Sequence, residues 1–310
     1  MIFTAFRDMK PLSQLMFSIF VVIASFMVFM VLSLIAAIPL FGLESMLSIP
    51  TIEEMDNPES IRVLKYFQVV QSIGVFIFPP FVLAWLFHGK IAEYLCLNKP
   101  VNFTSVFLVF TLSFAASPFV NFIGGLNQNM QFPEWLSGVE NWMRNAEDKA
   151  AEITEAFLKV ETAGGLAFNI FMIAFLPAIG EELLFRGVIQ RIFTNWTRNY
   201  HWGIWISALL FSALHLQFYG FVPRMFLGVL FGYLLVISGS IWLPIIAHFI
   251  NNGLAVIMMY LIDKQMLNPE LEEIGSTTDS YYMAAISFVL IFAILLMLKR
   301  QNQEIKDQQN

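Results

Sequence analysis

Long apolar runs separated by short polar segments make up most of the chain. A helix needs about 20 apolar residues to cross a bilayer, and eight runs approach or exceed that length. They lie at 15–40, 67–87, 106–126, 166–185, 203–219, 224–237, 242–262 and 282–298. The fifth and sixth runs are short for a complete crossing. The pattern predicts an all-α, polytopic membrane helical bundle of about eight transmembrane helices.

Composition indicates the same class of protein. Of the 310 residues, 58% are hydrophobic and 13% are charged, whereas a soluble domain carries about 25% charged residues. The formal net charge of −6 provides no basic surface for nucleic acid, so we expect a lipid bilayer and no nucleic acid among the partners. The single cysteine, Cys96, excludes a disulfide scaffold and a metal site built from several cysteines.

Basic residues predict an orientation. The run at 15–40 is longer than the apolar core of a cleaved signal peptide, which has about 7–15 residues, so we interpret it as a retained anchor. With both termini in the cytoplasm, ten of the 17 Lys and Arg residues fall on short inside segments, as the positive-inside rule favours. The segment 127–165 then lies outside.

Segment 127–165 differs from the rest of the chain because it is polar and charged. From 145 to 159 its pattern predicts a helix with one apolar stripe, formed by Ile153, Ala156, Phe157 and Val160. Two interpretations stay open. One is an amphipathic helix that rests on the membrane surface, and the other is a lid that controls access to a site within the bundle.

One cluster of ionisable and polar side chains lies within the apolar runs. A charged side chain at the centre of a membrane helix costs about 2.5–3.5 kcal/mol on insertion scales, so such residues indicate function. At about 1.5 Å rise per residue, three of the predicted helices bring the cluster to a common depth in the membrane. Its members are Glu181, Glu182 and Arg186 in the fourth run, His215 in the fifth, and His248 and Asn252 in the seventh.

Spacing within the cluster predicts how these residues pair. Glu182 and Arg186 are four residues apart, so they are expected to form an ion pair on one helix face. Glu181 points about 100° away and is free for another partner. His248 and Asn252 are also four residues apart and project from one face.

Neighbouring residues predict local helix features. Pro177 has no N–H to donate to the carbonyl of Ile173, which loosens the helix one turn before Glu181. Gly228 and Gly232 form a small-residue motif that predicts a helix-packing face. Phe211 is interpreted as a packing residue.

The residue types suggest hydrolysis of a peptide bond. A carboxylate beside a histidine can act as a general base on water, and a second histidine with an amide can stabilise an oxyanion. The zinc motif HExxH is absent. Two histidines and one glutamate are a known zinc ligand set, so a metal site stays open at this point.

Three motifs in chain order resemble a known family. Glu181-Glu182-x-x-x-Arg186, Phe211-x-x-x-His215 and His248-x-x-x-Asn252 look like the motifs of the CAAX-protease and bacteriocin-processing (CPBP, or Abi) family, to which the type II CAAX prenyl endopeptidase is related. The resemblance covers roughly residues 167–256. It implies an intramembrane glutamic endopeptidase in which Glu181 and His215 activate water, His248 and Asn252 stabilise the oxyanion, and Glu182 and Arg186 support them.

This resemblance also organises the chain. It predicts N-terminal transmembrane helices over 1–165 with a partly amphipathic extracytoplasmic loop at about 127–165, and a catalytic core over 166–262. An acidic loop, the last transmembrane helix and a short cytoplasmic tail occupy 263–310. The expected substrate is a membrane-associated peptide or protein, and the expected location is the cell inner membrane, with multiple passes. No cofactor is expected, because the glutamate mechanism needs no metal.

Other functions fit part of the same pattern. A zinc-dependent intramembrane metalloprotease would use the two histidines and a glutamate as ligands. A non-catalytic membrane immunity or scaffold protein of the same fold would tolerate substitution at Glu181. A proton-coupled transporter would also place carboxylates and histidines in the membrane, but it predicts inverted repeats, and the sequence has none that we detect.

Overall fold

The computed structural model describes residues 6–43 and 57–309. The structure does not describe every residue of the predicted regions 1–165 and 263–310. Residues 1–5, 44–56 and 310 lie outside the described residues. Within these residues all regular secondary structure is helical, which confirms the predicted all-α fold. Ten helices follow one another there: α1 (Pro11–Phe41), α2 (Pro58–Phe87), α3 (Ile91–Tyr94), α4 (Phe103–Gln128), α5 (Ser137–Leu158), α6 (Ala163–Thr197), α7 (Tyr200–Ala213), α8 (Phe221–Ser238), α9 (Trp242–Asp263) and α10 (Tyr281–Gln309).

Seven helical segments in the described part of the chain are long and apolar enough to cross a membrane. They are Pro11–Phe41, Pro58–Phe87, Phe103–Gln128, Ala163–Thr197, Phe218–Ser238, Trp242–Asp263 and Thr278–Glu304. The chain is therefore a multi-pass membrane protein. Many apolar side chains of α1 are exposed, including Phe20 at 64% and Ile35 at 63%, and a lipid-facing helix requires such a surface.

The predicted span at 203–219 is wrong as a full-length transmembrane helix. Helix α7 has 14 residues, which extend about 21 Å at 1.5 Å per residue, and a bilayer core is about 30 Å thick. The helix nevertheless returns the chain through the bundle, since it packs antiparallel to α8. His201 near its start is 2.7 Å from the Tyr233 hydroxyl near the end of α8, and Ser212 near its end donates to the Phe221 carbonyl at 2.6 Å.

Helix α6 is irregular at two points that flank the acidic motif. The segments Ile170–Phe175 and Phe185–Ile189 are π-helical, and the α-helical segment Leu176–Leu184 lies between them. Pro177 lies near the start of that middle segment, where the sequence predicts a loosened helix. Short π-helical insertions often occur at functional sites, and here they determine where Glu181 and Glu182 project.

The small-residue motif of α8 is a packing face, as predicted. A Cβ atom on Gly228 would lie 3.0 Å from the Ala208 Cβ, and one on Gly232 would lie 2.8 Å from the Ile204 side chain. The two glycines therefore let α8 approach α7 closely. The carbonyl of each glycine accepts a hydrogen bond from a side chain of α6, Gly228 from Arg186 at 3.0 Å and Gly232 from Gln190 at 3.3 Å.

Two apolar clusters among the buried residues hold the bundle together. One joins α2, α3, α6 and α9, and the other joins α4, α8, α9 and α10. Fully buried members are Leu83, Leu95, Leu183, Ile192 and Ile241 in the first cluster, and Leu112, Leu234, Leu243 and Leu298 in the second. Helices α6, α8 and α9 belong to these clusters, so they form a fixed frame for the polar side chains between them.

Candidate functional site

A cavity of about 630 Å³ lies between α5, α6, α8 and α9. Side chains of both apolar and polar character line it. The structure brings together at this cavity all four residues for which the sequence analysis predicts a catalytic role, namely Glu181, His215, His248 and Asn252. The cavity is therefore the candidate site.

The predicted ion pair between Glu182 and Arg186 is confirmed. Arg186 Nη1 lies 2.8 Å from Glu182 Oε1, and both side chains are almost completely buried. A second donor of the same guanidinium, Nη2, binds the Gly228 carbonyl. A buried charge is tolerated when it is paired and hydrogen-bonded, and these contacts meet that condition for Arg186.

Glu182 also holds His248, which the spacing within each motif does not predict. The Nδ1 atom of His248 lies 2.8 Å from Glu182 Oε1, whereas its Nε2 lies 3.8 Å from Glu181 Oε2. The Asn252 amide nitrogen lies 3.1 Å from the same Nε2. Because an amide nitrogen only donates, Nε2 accepts and the ring proton is on Nδ1, which donates to Glu182.

Asn252 has a fixed orientation. Its Nδ2 donates to the Ile173 carbonyl at 3.1 Å, and its Oδ1 accepts from Asn251 Nδ2 at 3.2 Å. Oxygen and nitrogen of an amide are assigned from such partners, and both contacts give the same assignment. Glu182 is therefore the carboxylate that holds His248, whereas Glu181 lines the cavity.

His215 lies just beyond the end of α7, in the non-helical segment 214–217, and its predicted place inside a transmembrane helix is wrong. The backbone turns sharply there, since Leu216 has φ of +54°. His215 Nδ1 lies 2.8 Å from the Phe211 carbonyl. A carbonyl only accepts, so Nδ1 carries the proton and Nε2 has a lone pair that can accept a proton.

Two phenylalanine rings organise the charged groups. The ring centroids of Phe211 and His215 are 4.9 Å apart. The Arg186 guanidinium lies 4.8 Å from the Phe211 centroid. Phe231 stacks on His248, with centroids 5.3 Å apart. Phe211 therefore does more than the predicted packing. The sequence analysis missed Phe231, which has no motif spacing to mark it.

Helix α5 covers the cavity. Its residues Ile153, Thr154, Phe157 and Leu158 are part of the cavity lining. A helix that only rested on the membrane surface would not contribute to an internal cavity. Of the two interpretations of segment 127–165, this position favours the lid.

The C-terminal end of α5 is held by a buried lysine. Lys65 Nζ donates to Asn169 Oδ1 at 2.9 Å, and Asn169 Nδ2 donates to the Phe157 carbonyl at 2.8 Å. The Lys65 ammonium also lies 5.8 Å from the centroid of the Phe157 ring. Lys65 lies within α2 and is only 9% exposed.

The N-terminal half of α5 contacts the turn before α8. The Tyr219 N–H donates to Glu147 at 3.0 Å, and the Arg144 guanidinium lies 4.5 Å from the centroid of the Tyr219 ring. Arg144 also donates to Glu140 at 2.7 Å, and this hydrogen bond lowers the pKa of the Glu140 carboxyl. Both ends of α5 are thus attached to the walls of the cavity.

The donor set does not fit a zinc site. Within residues 6–43 and 57–309, no group of three His, Cys, Asp or Glu side chains has an arrangement that could hold a metal ion. The chemistry below therefore uses the side chains alone.

Comparison with known proteins identifies the central part of the chain. Residues 163–254 match the sequence model of a family described as type II CAAX prenyl endopeptidase Rce1-like. The chain carries a domain of this Rce1-like family. The match includes all three motifs, from Glu181 to Asn252, and therefore every residue of the candidate cluster.

A curated relative matches a segment of similar length. The uncharacterized protein YpbD of Bacillus subtilis (strain 168) is 33% identical over 89 residues, which are 27% of this chain and 42% of YpbD. The chain thus covers less than half the length of this relative. No solved structure matches the chain significantly. The Rce1-like domain therefore connects the chain to a protease family, and activity and substrate are matters for proposal.

Proposed function

We propose that the chain is an intramembrane endopeptidase that hydrolyses a peptide bond of a membrane-associated peptide or protein. The observation that carries the proposal is the meeting of Glu181, His215, His248 and Asn252 at one cavity inside a membrane bundle. The Rce1-like family match over 163–254 supports the same conclusion.

In the proposed reaction, Glu181 and His215 activate a water molecule. One proton of the water passes to the Glu181 carboxylate or to the Nε2 lone pair of His215 as the water oxygen attacks the substrate carbonyl carbon. A tetrahedral intermediate forms, and its oxygen becomes negatively charged. The proton then passes to the leaving amine as the carbon–nitrogen bond breaks.

His248 and Asn252 are proposed to stabilise the oxyanion. The Asn252 N–H that now donates to His248 Nε2 would instead donate a hydrogen bond to the substrate oxygen, so substrate binding must break the contact with His248. His248 can donate as well once Nε2 is protonated. Glu182 fixes the orientation of the His248 ring, because its carboxylate accepts the Nδ1 proton at 2.8 Å. Glu182 and Arg186 thus act by positioning and charge.

Comparative cleavage tests this function. Wild-type protein and the Glu181→Gln variant are reconstituted in lipid vesicles and incubated with a library of hydrophobic peptides, and new termini are identified by mass spectrometry. We expect cleavage by the wild type and a loss of about 10²–10⁴-fold in the variant, which is typical when a general base is removed. Equal cleavage by both proteins, or cleavage by neither, would favour the scaffold function.

A further inference from the structure

One cationic side chain of the cavity has no part in the proposed hydrolysis. Arg224 lies in the first turn of α8 and lines the same cavity as Glu181 and His215. Among the described residues no carboxylate lies within 4.0 Å of its guanidinium, and the acidic groups that act on it electrostatically from farther away are Glu147 and Glu181.

Gln217 holds the guanidinium of Arg224 in place. Nη2 donates to Gln217 Oε1 at 2.6 Å, and Nη1 lies 3.4 Å from the Gln217 carbonyl. Gly220 leaves the space that the guanidinium occupies, because a Cβ atom there would lie 3.2 Å from Nη2. A guanidinium has five N–H donors, so Gln217 leaves part of the donor set for another acceptor.

We propose that Arg224, held by Gln217, binds a carboxylate group of the substrate. This inference rests on the proposed function and names a feature of its substrate. Guanidinium and carboxylate form paired hydrogen bonds of matching geometry, and a bound carboxylate would supply the close counter-ion that Arg224 lacks. Such a carboxylate belongs either to the C-terminus of a peptide or to an acidic side chain near the cleaved bond.

Peptide binding to the Glu181→Gln protein tests the subsite without a requirement for cleavage. Three hydrophobic peptides of one sequence are compared: one with a free C-terminal carboxylate, one with a C-terminal amide, and one amidated peptide with an internal Glu. We expect one or both acidic peptides to bind about 10- to 100-fold more tightly than the amide. The acidic peptide that gains affinity identifies the source of the carboxylate.

The same measurement with Arg224→Gln added should give equal affinities for all three peptides. Arg62→Gln is the matched control, because Arg62 is an exposed arginine on α2, and it should keep the preference. Arg224→Lys retains the charge and should keep part of the preference for the acidic peptides. This variant separates loss of recognition from loss of folding. Equal binding of acid and amide, or a preference that survives Arg224→Gln, would overturn the proposal.

Failure of the subsite and failure of the proposed function give different results. If the wild type cleaves none of the peptides but binding still depends on Arg224, the hydrolase function fails and the carboxylate site stands. If the wild type cleaves acid and amide equally well and binds them equally well, the hydrolase function stands and the carboxylate site fails.

Discussion

The side-chain amide of Asn252 on α9 donates a 3.1 Å hydrogen bond to the backbone carbonyl of Ile173 on α6. In an α-helix that carbonyl would accept from the N–H of residue 177, and Pro177 has none. A proline on one helix thus creates the acceptor that orients a site residue on another. The amide hydrogen that remains is the one directed at His248.

This relationship predicts a non-additive pair of substitutions. Asn252→Leu should lower the free energy of unfolding by about 0.5–1.5 kcal/mol, because it removes the amide donor to the part-buried Ile173 carbonyl. In a Pro177→Ala background, the new N–H at 177 can serve that carbonyl, so the loss should be smaller by about 1 kcal/mol. Thermal unfolding of the four proteins in detergent measures the difference. Additive effects would show that the carbonyl has other partners.

The two neighbouring glutamates should differ in their effect on stability. Glu182→Gln leaves the buried Arg186 without a counter-ion and weakens the hold on His248, so we expect a loss of about 3–5 kcal/mol. Glu181→Gln should keep the unfolding temperature, because it removes the desolvation cost of a buried carboxylate whose closest basic atom, His248 Nε2, lies 3.8 Å away. Unfolding of the purified variants, with peptide cleavage measured alongside, separates the two roles.

A surface pair provides the control for this comparison. Glu93 pairs with Lys90 at 2.9 Å, but both side chains are well exposed. Glu93→Gln should therefore change stability by less than about 1 kcal/mol. A stability loss larger at 181 than at 182 would mean that the assignment of the two roles is reversed.

Gly228 should be sensitive to the addition of one methyl group. A Cβ atom there would lie 3.0 Å from Ala208 Cβ and 3.4 Å from Arg186 Nη2, so Gly228→Ala is expected to cost about 1–3 kcal/mol through overpacking. Gly138 on α5 has no atom within 4 Å of its Cβ position, and Gly138→Ala should be neutral or slightly stabilising. Equal unfolding temperatures for the two variants would contradict the observed packing of α8 on α7.

Helix α5 should loosen when its C-terminal attachment is removed. Asn169→Ala deletes the acceptor for Lys65 and the donor to the Phe157 carbonyl. Loss of these buried hydrogen bonds costs about 1–3 kcal/mol, which should raise amide hydrogen exchange across Ser137–Leu158 by about 5- to 100-fold. Asn102→Ala removes a cap at the start of α4 and should leave exchange in α5 unchanged. If both variants exchange alike, α5 is held by other contacts.

Cleavage activity should survive metal chelation. In the part of the chain that the structure describes, no three His, Cys, Asp or Glu side chains are arranged to hold a metal ion. We therefore expect full activity after prolonged dialysis against a strong chelator. Activity that disappears and returns with one equivalent of zinc would replace the glutamate mechanism with a metal-dependent one.

The sequence predicts the components of this site better than their partners. The three motifs and the Glu182–Arg186 pair follow from spacing along single helices, because residues four apart share a face. Contacts between helices do not follow from spacing. The sequence places Glu181 and His248 at a common depth, and the structure places their side-chain atoms 3.8 Å apart. Depth alone does not predict that Glu182, rather than Glu181, holds Nδ1 of His248.

Helix ends and buried cations explain the other errors. An apolar run does not reveal that α7 stops at Ala213, since the residues after it are also largely apolar. Leu64 and Tyr66, the neighbours of Lys65, do not indicate that its ammonium is buried. Its burial depends on Asn169, which is 104 residues away in the chain. Such long-range partners can be assigned only when the helices are placed in space.

The break in helical structure at 214–217 has a consequence for solvation. Backbone N–H and C=O groups outside a helix cannot remain unsatisfied in hydrocarbon, and irregular backbone at membrane depth is tolerated where it lines a water-filled space. This segment carries His215 and borders the cavity. The N–H groups of residues 214–216 donate to backbone carbonyls at 3.0–3.3 Å, so water in the cavity would serve the remaining carbonyl groups of this wall. The same water in the cavity would then hydrate the backbone and serve as the reactant. A lipid tail that filled the cavity would displace this water and prevent both.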